Sequence, residues 1–540
     1  MSCGDMTNWD PVKKRGNKET FFRMYSQDQQ ILLPVDIRDL IPEGHEVHVI
    51  SQIFDEYIDI SEIMKNYTIK GARCYHPLML LKVLYYAYFM GQRSSRRIET
   101  LCQMDIRFMF LSGNQKPDHG TINLFRRKNT ELIEELFLTT GKVAGDLGLI
   151  GHQIGAPDGT KIKANASVSK SRKKKWFEKK RKEIQEYLDE AEKIDEKEEG
   201  EYGDRNSSEV SQNLKDRENI SKKLQELKRL EEIEKKMEDE GKDKINTTDP
   251  DANIMKFADG SKKPGYNIQA MTDGKNQVIT SIIVTEEQND INQLIPVLEE
   301  TRKNTGRLPE HIPADAGYFS YHNLEYATEN GIDIYIPDNR FQIEENGKEK
   351  YFSKEKFCYD SINDKYICPE NKEVTFHHQQ LTKKGVKIRI YKGTGCSDCT
   401  VKNKCTKAEF RTISKDPREY LQTEMRKKLR SDEGKDIYAK RKTIVEPPFG
   451  DWKSNNGFRN ILLRGKTGAI IESNLFAAVH NMKKILRHLK GGDVKNEEVG
   501  VAALAYLPIQ ASLKEFERES FLLNIGPNFD GFCDEIPVLC

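Results

Sequence analysis

No stretch of the chain approaches the roughly 20 consecutive apolar residues that a bilayer-spanning helix needs, so a membrane span is not expected. The opening residues, MSCGDMTNWDPVKKRGNKETF, lack the apolar centre and the small-residue cleavage pattern of a secretory signal. The expected location is therefore the cytoplasm, or the nucleoid if DNA is bound. An excess of charge of either sign is also missing, since 87 Lys plus Arg stand against 86 Asp plus Glu. The strongly basic total of many nucleic-acid binders is thus absent, but the charges are segregated. Basic clusters at 13–15, 93–97, 170–175, 383–389, 426–430 and 440–442 alternate with acidic runs at 185–201 and 231–240, and local patches decide phosphate binding. Ten cysteines in a cytosolic chain are not expected to form a disulfide framework. Five of them (Cys358, Cys368, Cys396, Cys399 and Cys405) crowd one short stretch.

A length of 540 residues suggests three or four domains. Residues 1–24 are polar and read as loose. From 25 to 148 the pattern is helical: HPLMLLKVLYYAYFMG is apolar on most faces and reads as a buried helix. SSRRIETLCQ starts another, capped at Ser94 or Ser95, and Thr121 is placed to cap one long amphipathic helix running through Phe125, Ile133, Leu136 and Phe137. Arginines near helix starts suit a DNA-binding module, and they suit a plain helical bundle with solvated arginines equally well. The first strand is expected in HQIGAPDGTKIKANAS. A very charged segment follows, whose apolar residues step by three and four, predicting helices over 173–198 and 208–241 folded about Gly200 and Gly203. GYNIQAMTD and QVITSIIVTEE predict a β-hairpin. Then come a helix near Asp290, a short strand ending at Asp315, a helix closed by Gly331, and the strand IDIYIPD. The order is that of a ribonuclease-H-like sheet, though many mixed sheets share it. Residues 340–415 read as irregular with scattered strands, and helices return over 418–450 and 467–489.

Asp158 and Asp315 lie at expected strand ends, and Glu446 in RKTIVEPPFGDWK near a helix end stopped by Pro447 and Pro448. Two Mg²⁺ ions held by such carboxylates activate water or a 3′-hydroxyl and offset charge on a leaving oxygen. Taken singly, an Asp at a strand end is ordinarily a cap or turn residue, so the weight falls on the three together.

D-G-T-K-I-K-A-N-A-S around Asp158, A-D-A-G-Y around Asp315 and V-E-P-P-F-G-x-x-K over Glu446 and Lys453 resemble, in order, the three motifs of bacterial insertion-sequence DDE transposases. The group resembled carries a Tyr-x2-Arg-x3-Glu-x6-Lys signature, and YHPLMLLKVLYYAY, SSRRIE and PDHGTINLFR are similar to its N-terminal helical domain. One departure stands out: Tyr438 and Arg441 lie one position too early, with Ala439 and Lys442 where Tyr and Arg are expected. Either Lys442 meets phosphate instead, or a helix irregularity brings Arg441 into use.

The resemblance implies an α/β fold, a ribonuclease-H-like catalytic core (149–338 and 416–490) with a helical N-terminal DNA-binding domain (25–148). A charged helical-hairpin insertion (170–250), a Cys-rich insertion (339–415) and a C-terminal tail (491–540) complete it. The implied reaction is cleavage at transposon ends and 3′-hydroxyl strand transfer, with two Mg²⁺ or Mn²⁺ held by Asp158, Asp315 and Glu446. The alternative is a catalytically inactive, transposase-derived DNA-binding or regulatory protein. Terminal inverted repeats and target DNA would be the partners, engaged by a homodimer. The expected DNA-contacting residues are Arg96, Arg97, Arg126, Arg127, Lys161, Lys163, Lys173, Lys174, Lys175, Arg441, Lys442 and Lys453. Cys368, Cys396, Cys399 and Cys405 supply the four thiolates that a structural Zn²⁺ takes, against the plain alternative of reduced cysteines. His377 or His378 is a replacement ligand, at most one of them, since neighbours on a strand face opposite ways.

Overall fold

The computed structural model describes residues 36–491 apart from 66–73, 203–209, 346, 348–350 and 383–384, together with Pro11–Lys13 and Glu19–Phe21. Those two segments pair as antiparallel strands within the stretch expected to be loose. The expected C-terminal tail, and the turn expected at Gly203, fall outside the described residues.

The centre is a mixed sheet. β1 (Gly155–Lys163), β2 (Asn253–Lys256), β3 (Lys262–Asp273) and β4 (Ile279–Thr285) are antiparallel, with β3 between β1 and β4. β5 (Ile312–Pro313) runs parallel to β6 (Ile334–Tyr335). A parallel bridge from Ile154 to His311 joins it to the start of β1. The order β4-β3-β1-β5-β6 is compatible with a ribonuclease-H-like core, and the β3–β4 hairpin falls where the alternating apolar pattern puts it. Asp158 does not end a strand, however. It sits in the middle of β1, opposite Ala270.

Helices cover both faces. α1 (Glu46–Tyr57), α2 (Pro77–Phe89), α3 (Ser95–Met104), α4 (Ile106–Leu111), α5 (His119–Lys128) and α6 (Thr130–Asp146) form the N-terminal part. The expected single helix after Pro117 is two. Asp118, not Thr121, caps α5 by accepting from the Gly120 and Thr121 N–H groups, and Asn129 breaks the chain before α6. Ser94 stands at the N-cap of α3 but makes no side-chain cap bond. The charged insertion is α7 (Lys174–Tyr202) and α8 (Val210–Asp239), whose described residues pack together through Phe177, Ile184, Leu230, Ile233 and Met237. α9 (Leu294–Thr305) and α10 (Tyr321–Glu329) follow the sheet strands.

Residues 358–415 are not irregular. They form an antiparallel meander of β7 (Cys358–Asp360), β8 (Lys365–Ile367), β9 (Glu373–Leu381), β10 (Lys387–Gly393) and β11 (Thr412–Lys415). The helical return then splits at Ser431 into α11 (Glu419–Arg430) and α12 (Asp432–Ser454), before α13 (Gly465–Leu489). Pro447 and Pro448 do not stop α12, which runs six residues beyond Pro448. Proline at 447 cannot donate to the Thr443 carbonyl, and the Gln277 side-chain amide donates to it instead, at 2.8 Å. Lys453 therefore lies inside the helix that carries Glu446, not past its end. No helix among the described residues is long and apolar enough to cross a membrane.

The N-terminal helices share one apolar core with β1, β3, β4 and α13, so no seam in the packing follows residue 148. At this junction Glu472 of α13 is fully buried. It accepts from Arg93 at 3.1 Å and from the Leu462 and Leu463 N–H groups. Arg93 also donates to the Asn460 and Gly457 carbonyls. Removing one partner of a buried pair strands the other charge. Arg93→Ala should therefore lower unfolding free energy by about 3 kcal/mol in urea denaturation. A change below about 0.5 kcal/mol, the range of ordinary surface substitutions, would show that Glu472 needs no counter-charge.

Candidate functional site

Asp158 shares the β1 face of Ala156, which packs on Ile444 and Val445 of α12. This crossing brings α12 cations to the carboxylate. Burial pushes the Asp158 carboxyl up to about 6; a Gly159 N–H bond and Arg441 oppose the shift, while Asp315 and Asp290 add to it. Lys453, half-buried, is held below its ordinary range by burial, with Asp158 pulling the other way.

Asp315 caps a short turn over Ala316–Tyr318, its Oδ1 accepting from the Gly317 N–H. Asp290, which sequence reasoning took only as a helix start, lies close to Asp315 and within electrostatic reach of Asp158. Its Oδ1 accepts from Asn267 at 2.7 Å and from Gln269 at 2.6 Å. Gln269 in turn accepts from the hydroxyl of fully buried Tyr318. A Cβ at Gly317 would stand 3.2 Å from Asp315 Oδ1 and 3.4 Å from Asp290 Oδ2, so those two oxygens are no farther apart than the sum of these distances. Gly159 is needed for the same closeness, because a Cβ there would lie 2.2 Å from Gln269 Nε2 and 2.9 Å from Asp290 Oδ1. The sequence signal for Asp290 was its place in N-D-I-N ahead of a helix, which any capping residue shares.

Glu446 is exposed and makes no hydrogen bond or ion pair with the described residues, so it does not pair with Arg441 or Lys442. Among the described residues no group of three or more His, Cys, Asp or Glu side chains is disposed to hold a metal ion. The aspartates have the donor chemistry of a Mg²⁺ site, but the three sequence-chosen carboxylates do not converge as one.

The cations expected to contact DNA divide. Arg96, Arg97, Arg127, Lys163, Lys173, Lys175 and Lys442 are exposed, and Lys161 and Arg441 partly so. Arg126 is a correction: it is buried, and its guanidinium donates to Tyr88, Asn123 and the Arg93 carbonyl, which leaves it unavailable to phosphate. Lys174 is exposed as well, and pairs at the surface with Glu238 at 2.6 Å. Cys368, Cys396, Cys399 and Cys405 line one cavity, which His377 and His378 do not reach; those two bond to each other on exposed β9.

Comparison with known families adds two matches. Residues 367–486 match a family described as "Transposase DDE domain", and residues 35–128 match one described as "Transposase domain (DUF772)". Glu446, Lys453 and the four cavity cysteines fall inside the first, whereas Asp158, Asp290 and Asp315 lie between the two. No curated protein and no solved structure matches. The chain thus carries transposase-type regions on both sides of its acidic pocket.

The Asp158 carboxyl has a folded pKa of about 6 against about 3.8 for its ordinary value. The folded state thus favours the protonated form, and no penalty exists below the unfolded pKa. As pH rises from about 4 to about 6 the unfolded chain gives up its proton more easily, and stability is lost. Above that window the buried charge costs about 2 kcal/mol, allowing for its partial exposure. Asp158→Asn should therefore raise the melting temperature in metal-free buffer at pH 7.5 and have little effect at pH 3.5. A destabilised variant at pH 7.5 would mean that Arg441 and Lys453 outweigh burial.

Proposed function

We propose that this chain is a DNA-binding protein of the transposase type. The two family matches support the class. The exposed arginines of α3 and α5, with Lys163, Lys173, Lys175 and Lys442, supply cations that double-stranded DNA would draw on, since phosphate contacts dominate affinity. Terminal inverted repeats are the proposed substrate, engaged by a homodimer with residues 25–148 as the main DNA-reading part. A binding or regulatory role without strand transfer is the better-supported form of this reading. The observation that carries it is the exposed, unpartnered Glu446 and the lack of three converging carboxylates among the described residues.

A second reading rests on a different observation, that Asp315, Asp290, Arg441 and Lys453 all lie within electrostatic reach of Asp158. It is metal-dependent cleavage at transposon ends and 3′-hydroxyl strand transfer on a ribonuclease-H-like core. Asp158, Asp315 and Glu446 would be the ligands of Mg²⁺ or Mn²⁺, which lowers the pKa of bound water and offsets leaving-group charge. Arg441 and Lys453 would hold a phosphate beside the scissile bond.

A supercoiled plasmid carrying the DNA that flanks the gene separates these outcomes. With Mg²⁺ present, the binding reading expects a retarded complex that weakens steeply as salt rises, and no nicked product. Nicking that disappears in Asp158→Asn and Asp315→Asn would replace it with the strand-transfer reading. Absence of any complex at low salt would sink both.

A further inference from the structure

The small sheet β7–β11 has little with which to hold itself together. Its core is Phe357, Tyr366, Val374, Tyr391 and Ile413. Units this small ordinarily need a metal, disulfides or a partner to be stable. At the end of that sheet, three separate pieces of chain deliver thiols to one cavity of about 30 Å3. Cys368 follows β8, Cys396 and Cys399 lie in the turn after β10, and Cys405 closes the short helix Lys402–Cys405.

The sulfurs lie among N–H donors and cationic side chains. Cys368 Sγ accepts from the Lys372 N–H at 3.3 Å, four residues on, and Cys396 Sγ accepts from the Arg411 N–H at 3.5 Å. Gly393 lies so close that a Cβ there would stand 2.7 Å from Cys396 Sγ. Two cations line the same cavity. Lys372 is tied by its ammonium to the Gly395 carbonyl, and Arg411 by its guanidinium to the Cys405 and Phe352 carbonyls. The Arg411 Nε is buried with no partner. Neither cation is paired with a carboxylate among the described residues.

We propose that Cys368, Cys396, Cys399 and Cys405 bind one structural Zn²⁺ as a tetrathiolate, with Arg411 and Lys372 offsetting its charge. As the side chains stand, the sulfurs line the cavity without converging, so binding draws the three chain pieces together. Four thiol protons leave, one Zn²⁺ enters, and the resulting site carries a net charge of about −2. Its anionic charge falls beside Arg411 and Lys372. The ion joins the end of β8, the turn after β10 and the approach to β11, the connections that the small core holds least. This assignment is independent of what the chain does to DNA.

The test uses the full chain purified without chelator. Elemental analysis should find about one zinc per chain, as one tetrathiolate site requires. Replacing zinc with Co²⁺ alone should give the near-ultraviolet sulfur-to-cobalt bands and intense visible bands of tetrahedral thiolate coordination. Cys396→Ser with Cys399→Ser should lose both the zinc and the bands, while Cys74→Ser keeps them. If the double variant does not fold, the wild-type metal content and cobalt spectrum decide. Metal-free protein that takes up neither Zn²⁺ nor Co²⁺ when reduced would overturn the proposal, as would a cobalt spectrum lacking sulfur bands. Four cysteines that react freely with a thiol reagent in the zinc-loaded chain would do the same.

Discussion

The buried carboxylate of Asp158, set where a sheet face meets a helix, is the constraint on which the centre of this fold turns. Asp158 projects from the middle of β1 towards α12, and that crossing removes it from water while bringing Arg441 and Lys453 within electrostatic reach. Asp315 and Asp290 arrive from the other side, each already committed through one oxygen to a turn N–H or to side-chain amides. Burial and two like charges push the Asp158 carboxyl up, and the α12 cations pull it down without winning. The result is a pocket with surplus negative charge that the protein only partly neutralises. Such frustration is tolerated at functional sites and rarely elsewhere.

Holding α12 across β1 depends on features remote from the pocket. The helix carries two consecutive prolines, and its continuity past them is supported by Gln277, whose amide takes the Thr443 carbonyl that Pro447 leaves free. The same Gln277 accepts from His480 through its carbonyl and from Lys484 through its side chain. The β3–β4 turn thereby ties α12 to α13. On its other side α13 buries Glu472 against Arg93 of the N-terminal part. The transposase-type regions at both ends of the described fold are therefore joined by one continuous set of contacts.

The sequence was most legible where a pattern has one structural meaning. Alternation over Gly265–Thr285 could only be a hairpin, and the apolar run after His76 could only be a buried helix. Long charged helices were readable from their three-and-four spacing, and Phe177, buried seven residues before Ile184, lies on the same face. Proline misled at 447 and 448, because its rule concerns a bond that a distant glutamine supplies. Arg126 misled because a basic residue in a basic run reads as solvent-facing, whereas tertiary packing turned it inward to Tyr88. Over 358–415 only scattered strands were legible, because few of their residues are buried and little apolar alternation marks the meander that joins them. For the site, Asp158 and Asp315 were found by motif and do share a pocket. Asp290 was not found, since its neighbours Asn267 and Gln269 reach it only through the fold.

Whether this pocket is a charge cluster partly balanced by protein cations or a ready metal centre is decided by Mn²⁺ binding to the DNA-free chain. Titration followed by electron paramagnetic resonance measures it directly, and the pocket described here should take up no Mn²⁺ at micromolar concentrations. Uptake of about one or two ions per chain, the stoichiometry of a two-metal site, with micromolar affinity and lost in Asp158→Asn, would contradict that picture.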